Sequence, residues 1–129
     1  MKIAHPSEAR AHYAQLAYAA RIEAASRHEL VAILYEELLL AFDLLRHALR
    51  SADRVRANAH FGRATSILHS LLAGLDLDQG GPLAQSLAQI YHSALAEIAR
   101  LRLSQDADRV AALQQAFGDL SDNWARIAA

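Results

Sequence analysis

Cysteine is absent from the 129 residues of this chain. Disulfides, thiolate metal sites and cysteine nucleophiles are therefore excluded, and the absence fits a reducing compartment. Glycine and proline are scarce, at five and two residues, and aromatic residues reach only 6%. Alanine and leucine dominate a hydrophobic fraction of 53%. So few turn-formers and β-branched residues predict a chain that is nearly all helix. β-Sandwiches, barrels and phosphate-cradling α/β folds need strands and Gly-rich turns that are missing here. No excess of either charge is present: thirteen basic and fourteen acidic residues leave a net charge of −1. Non-specific nucleic-acid binding scales with the phosphates neutralised, so no nucleic-acid partner is expected. Lys2 is the sole lysine among those basic residues, which reads as composition bias. The basic spots Arg46, Arg50, Arg54, Arg56 and Arg100, Arg102 fall near helix ends, where they complement the helix dipole or are solvated. Long hydrophobic runs are lacking as well. Uncharged apolar stretches such as Leu38 to Phe42 are far short of a membrane span. The opening residues carry no apolar signal-peptide core. A cytoplasmic protein with no membrane partner is the expectation.

What is present is helical periodicity. A single domain of residues 1–129 is predicted, with residues 1–25 as an N-terminal helical segment and 26–129 as a four-helix core. The first helix, roughly Ser7 to Ile22, is mostly Ala, with Tyr13, Leu16 and Tyr18 its only large residues before Ile22. It has high intrinsic helicity and little to anchor it. The second starts at a capping box, Ser26 with Glu29, and runs to about Arg50. At about 100° per residue, its Glu29, Glu36, Asp43, His47 and Arg50 share a stripe about 60° wide. The rest of its circumference is largely apolar. Such a helix is either central and covered on several sides, or it offers a core face plus an exposed groove face.

Ser51-Ala52-Asp53 forms a short connection. The third helix carries Phe61, Ala64, Leu68, Leu71 and Leu75 at three- and four-residue steps. A loop, Leu75 to Pro82, follows, with Gly80-Gly81 suited to a left-handed turn and Pro82 to a first helical turn. The fourth helix aligns Leu83, Leu87, Ile90, Ala94, Ile98 and Leu101. Ser104-Gln105-Asp106 breaks it and caps the fifth, whose heptad is Val110, Leu113, Phe117, Leu120, Trp124 and Ile127. Short connections make neighbours antiparallel, so the predicted class is all-α: an up-down four-helix bundle with an additional short N-terminal helix.

Chemistry-bearing patterns are few. No two of the seven His have the i,i+3 or i,i+4 spacing of helical metal ligands, and Glu-x-x-His does not occur. No metal, cofactor or catalytic residue is expected, and the chain does not read as an enzyme. A histidine-phosphotransfer-like signalling bundle is an alternative. His69 to Gly74 is its nearest imitation, but Leu72 stands where a cation should compensate the phosphoryl charge. His47 has Arg46 and Arg50 nearby but no glycine.

The same residues resemble a known family, the flagellin export chaperones or FliS family. Tyr13-Ala14-Gln15 is similar to its N-terminal Tyr-x-Gln. Ala25-Ser26-Arg27-His28-Glu29-Leu30 with Ile33-Leu34-Tyr35-Glu36 resembles its Ala-Ser-Pro-x-x-Leu…Leu-Tyr-Asp signature. Ala73-Gly74-Leu75-Asp76 through Gly80-Gly81 resembles its Leu-Asp…Gly-Gly loop. Leu87 to Tyr91 resembles the Leu-x-x-Leu-Tyr that follows, and Trp124 stands where the last helix carries Trp. Arg27 replaces the usual Pro and Glu36 the Asp. On the fourth helix His92-Ser93, Ala96-Glu97 and Leu101-Arg102 depart from the common Asp-Tyr, Arg pair and Ala-Asn.

The resemblance implies a cytoplasmic chaperone that binds the disordered C-terminal region of flagellin, prevents premature polymerisation and keeps it competent for flagellar type III secretion. It also implies contact with export-apparatus components, and a first helix that acts as a lid over the groove. Expected groove residues are Leu34, Leu38, Leu77 and Tyr91, with Tyr13 and Gln15 as lid or client contacts. A bundle serving another export substrate stays open as a second alternative, because the departures cluster on the fourth helix.

Overall fold

The computed structural model describes residues 6–127, which form five α-helices: α1 Pro6–Ala24, α2 Arg27–Arg50, α3 Arg54–Ala73, α4 Gly81–Ser104 and α5 Ala107–Ile127. The all-α class expected from composition and period is the observed one. Helix starts follow local side-chain chemistry. Ser26 Oγ accepts from the Glu29 N–H at 3.2 Å, Asp53 Oδ1 from the Arg56 N–H at 3.1 Å, and Asp106 Oδ1 from the N–H groups of Asp108 and Arg109. Each satisfies a donor that the first helical turn leaves free. The Ser26 box differs from expectation in one respect. Glu29 Oε1 accepts from the Ser26 hydroxyl at 3.2 Å instead of reaching the Ser26 backbone N–H. Helix α4 ends where Gln105 turns left-handed at φ 58°, and Ala52 does the same after α2 at φ 55°.

Side-chain pairs fix the topology. Glu37 of α2 meets Arg63 of α3, Arg102 of α4 lies over Phe61 of α3, and Glu97 of α4 lies near Arg109 of α5. Phe61 in the first half of α3 meets Arg102 at the end of α4, and Glu97 in the second half of α4 lies near Arg109 in the first turn of α5. Glu37 and Arg63 meet mid-helix, so the pairs fall as antiparallel neighbours joined by short connections place them. Tyr35 and Tyr91 join α2 to α4, which run parallel across the bundle. α2 packs extensively against both α3 and α5, while α4 leans on α3 and touches α5 sparsely. The starts of α2 and α4 and the ends of α3 and α5 therefore share one pole.

The core lies along the middle and far half of α2. Tyr35, Leu38, Phe42 and Leu45 are fully buried against Phe61, Leu68, Tyr91, Ile98, Leu101, Val110 and Phe117. The Phe117 ring is the hub, with centroids 5.9 Å from Phe42, 6.3 Å from Tyr91 and 6.4 Å from Tyr35. α1 stands apart from this core. Of its side chains from Glu8 onward, only Ala9, Tyr18 and Ile22 lose a substantial part of their exposure.

Candidate functional site

At the shared pole the helices do not close over one another. A groove of about 1190 Å³ opens there, lined by the first two turns of α2, the end of α3, the connecting loop, the start of α4, Trp124 of α5 and two residues of α1. Its floor is Leu71, Ala84 and Leu87, all buried. Leu30, Val31 and Leu34 form the α2 wall, partly buried. Leu77 and Leu83 form the opposite lip, each 54% exposed. Small-molecule pockets run to about 300–1,000 Å³ and enclose their ligand. This larger, open, mainly leucine-lined trough has the shape for an apolar face of a peptide segment.

The far lip is held by its loop. Asp76 Oδ1 accepts from the N–H groups of Asp78 at 3.2 Å and Gln79 at 3.0 Å, and the Asp76 carbonyl accepts from the Gly80 N–H at 2.7 Å. A Cβ at position 80 would collide with that carbonyl and with the Ala84 side chain, so only glycine permits the turn that presents Leu77. Gly81 is left-handed at φ 61°, as the paired glycines predicted. The near wall carries the α1 residues. Tyr18 and Ile22, one turn apart, lie along the groove edge. Arg21 pairs with Glu36 of α2 at 3.2 Å, and both side chains are more than half exposed. An ion pair of that kind holds α1 only weakly.

Trp124 closes one side of the groove. Its Nε1–H donates to the His28 carbonyl at 3.0 Å. In return His28 Nε2 lies 3.1 Å from the Trp124 carbonyl. A carbonyl only accepts, so Nε2 carries the hydrogen. The two rings stack with centroids 4.6 Å apart and planes 8° from parallel.

The expected site residues fall into three groups. Leu34 and Leu77 line the groove. Leu38 and Tyr91 do not: they are 0% and 1% exposed and belong to the core beneath it. Leu38 shares its helix face with Leu34 but sits one turn deeper, where α3 and α5 cover α2. Tyr91 is likewise one turn beyond Leu87, and its hydroxyl is bonded to that of Tyr35 at 2.5 Å. Burial raises both phenol pKa values, and for Tyr91 the bond to Tyr35 adds to the rise. Tyr13 and Gln15 are exposed on α1 and outside the groove lining; Tyr13 is 71% exposed. At about 100° per residue, Tyr13 lies about 140–180° around α1 from Tyr18 and Ile22.

The groove residues not anticipated are Tyr18, Ile22, His28, Leu30, Val31, Leu83 and Leu87. The i,i+4 spacing of Tyr18 and Ile22 was the one legible signal for the α1 contact. His47 and His69 are exposed. His47 lies 3.8 Å from Asp43, a neighbour that repels a phosphoryl group. Among the described residues no three His, Asp or Glu side chains converge as a metal site, and no helix is long and apolar enough to cross a membrane.

A family model described as "Flagellar protein FliS" matches residues 9–129, which takes in α2 to α5, all but the first three residues of α1 and every wall of the groove. The chain belongs to the FliS family. It is also similar to the flagellar secretion chaperone FliS of Salmonella typhimurium strain LT2, at 26% identity over 116 residues, 89% of this chain and 86% of that relative. The FliS match thus extends across nearly the full length of both proteins, and the resemblance read from short motifs is one of the whole bundle.

Proposed function

We propose that this FliS-family protein is a cytoplasmic flagellar secretion chaperone that acts by binding alone. In this reading its groove takes the disordered C-terminal region of flagellin, prevents premature polymerisation and keeps the subunit export-competent. The observation that carries the reading is the open trough between Leu30, Val31 and Leu34 on one side and Leu77 and Leu83 on the other. An apolar trough with Leu77 and Leu83 uncovered on its lip marks a surface that another chain is to cover. A disordered segment folding into the trough contributes its apolar face and loses chain entropy on doing so. The net affinity is then modest enough for release during secretion.

Residues 1–25 serve as the lid on the 26–129 core. Tyr18 and Ile22 occupy the groove edge while the protein is empty, and the sparse contacts of α1 let it yield. Tyr13 and Gln15 are then free to contact the client or export-apparatus components. Polymerisation of purified flagellin, followed by light scattering, tests the proposal. An equimolar amount of this protein is expected to suppress filament growth, and the Leu34→Glu variant to lose the effect. Unhindered growth in the presence of the unaltered protein would refute the reading. Tyr13→Ala is expected to change client affinity and leave the thermal midpoint within about 1–2 °C, because its side chain packs against nothing in the core.

A further inference from the structure

The reciprocal contact between His28 and Trp124 joins residues 96 apart in sequence, and both line the groove. Trp124 lies in the last turn of α5, where helix carbonyls lack partners within the helix. The imidazole supplies one to the Trp124 carbonyl, so it caps the end of α5 from the side. The opposite bond ties the indole to the first turn of α2, and the stack fixes the plane of the ring. α5 is held here chiefly through α2, since its contacts with α4 are sparse. The indole edge also rests on Tyr35, with centroids 6.3 Å apart and planes at 89°. Trp124 nevertheless stays partly exposed.

We propose that His28 is a positioning residue for the groove: it holds Trp124 upright as a fixed wall, and a docked segment seats an apolar side chain against the exposed part of the indole. The inference rests on the groove reading above and adds to it what sets the width of the trough. A preorganised aromatic wall saves the partner the entropy of ordering it. Without the His28 imidazole the last turn of α5 loses its lateral cap and the indole loses its stacking partner. The bond to the residue-28 carbonyl and the edge contact with Tyr35 are left to hold the ring less firmly.

Trp124 is the sole tryptophan of the chain, so its emission reports the wall directly. The test uses the full-length protein, a synthetic C-terminal segment of flagellin and calorimetric titration beside fluorescence. His28→Ala is expected to shift the emission to the red and weaken segment binding at least tenfold. His28→Gln places an amide N–H near the Nε2 position and is expected to restore affinity to within threefold. Gln114→Ala is the control for general loosening. It removes the 2.8 Å Arg46 to Gln114 bond at the other end of the same helix pair, and is expected to leave emission unchanged and affinity within twofold. Segment binding by His28→Ala within twofold of the unaltered protein overturns the proposal, as does an equal loss in Gln114→Ala. If the unaltered protein takes no segment, the chaperone reading falls. The positioning role is then judged on emission alone, and an unshifted His28→Ala spectrum overturns it.

Discussion

Removing a single hydroxyl from the core should cost more than removing two. The Tyr35 and Tyr91 side chains are 0% and 1% exposed, and among the described residues each hydroxyl bonds only to the other, at 2.5 Å. Tyr91→Phe keeps the ring stacked near Phe117, whose centroid lies 6.3 Å away. It strands the Tyr35 hydroxyl without a partner in an apolar setting. A stranded buried polar group costs about 1–3 kcal/mol, whereas deleting both partners of a bonded pair is nearly neutral. Tyr35→Phe and Tyr91→Phe are each expected to destabilise by about 2 kcal/mol, and the double variant by under about 1 kcal/mol. The cycle thus falls short of additivity by about 3 kcal/mol, at the large end for neighbouring residues. Urea unfolding followed by circular dichroism, with Trp124 emission as a second probe, measures all four proteins. A double variant as unstable as the sum of the singles would refute the reasoning, because the two hydroxyls would then be acting independently.

The same pair sets an alkaline limit on stability. Both phenol pKa values are raised in the fold, so stability is fully present below the unfolded value near 10 and is lost as pH rises above it. The slope approaches about 1.4 kcal/mol per pH unit for each tyrosine, and the Tyr35→Phe, Tyr91→Phe double variant is expected to lose that slope in urea midpoints taken from pH 9 to 11. Gly80→Ala should destabilise by about 1–3 kcal/mol, through collision with the Asp76 carbonyl and the Ala84 side chain, and should weaken segment binding by displacing Leu77. Ala52→Gly should do the reverse. Position 52 is left-handed at φ 55°, where an alanine is strained by about 1 kcal/mol, so the thermal midpoint is expected to rise by a few degrees.

Helix number, connections and the caps at Ser26 and Asp106 were legible because each rests on neighbours in sequence. The cap role of Asp53 and the end of α3 at Ala73, two residues short of Leu75, were not read. Ser26 and Asp106 announce the starts of α2 and α5, and the 3.6-residue period announces the faces. The groove was only half legible, for a physical reason. Periodicity tells which face of α2 is apolar, but not at what level along its axis the covering helices diverge. Leu34 and Leu38 look alike in sequence, yet one lines a trough and the other lies in the core. Whether an apolar position is wall or core depends on α3 ending at Ala73 and α4 beginning at Gly81, which open the pole. In α1, large side chains fall on two opposed faces. The entry through Ala25 and Ser26 decides that Tyr18 and Ile22 turn inward and Tyr13 outward. The His28 and Trp124 contact spans 96 positions, and no local pattern encodes it.

The central claim is that the pole groove binds the C-terminal region of flagellin, and calorimetric titration of this protein with that segment from the same organism tests it most directly. Saturable 1:1 binding with a negative heat-capacity change, abolished by Leu34→Glu, is the predicted result, since apolar burial carries that signature. No heat of binding at tens of micromolar, or binding that Leu34→Glu leaves intact, would contradict the claim.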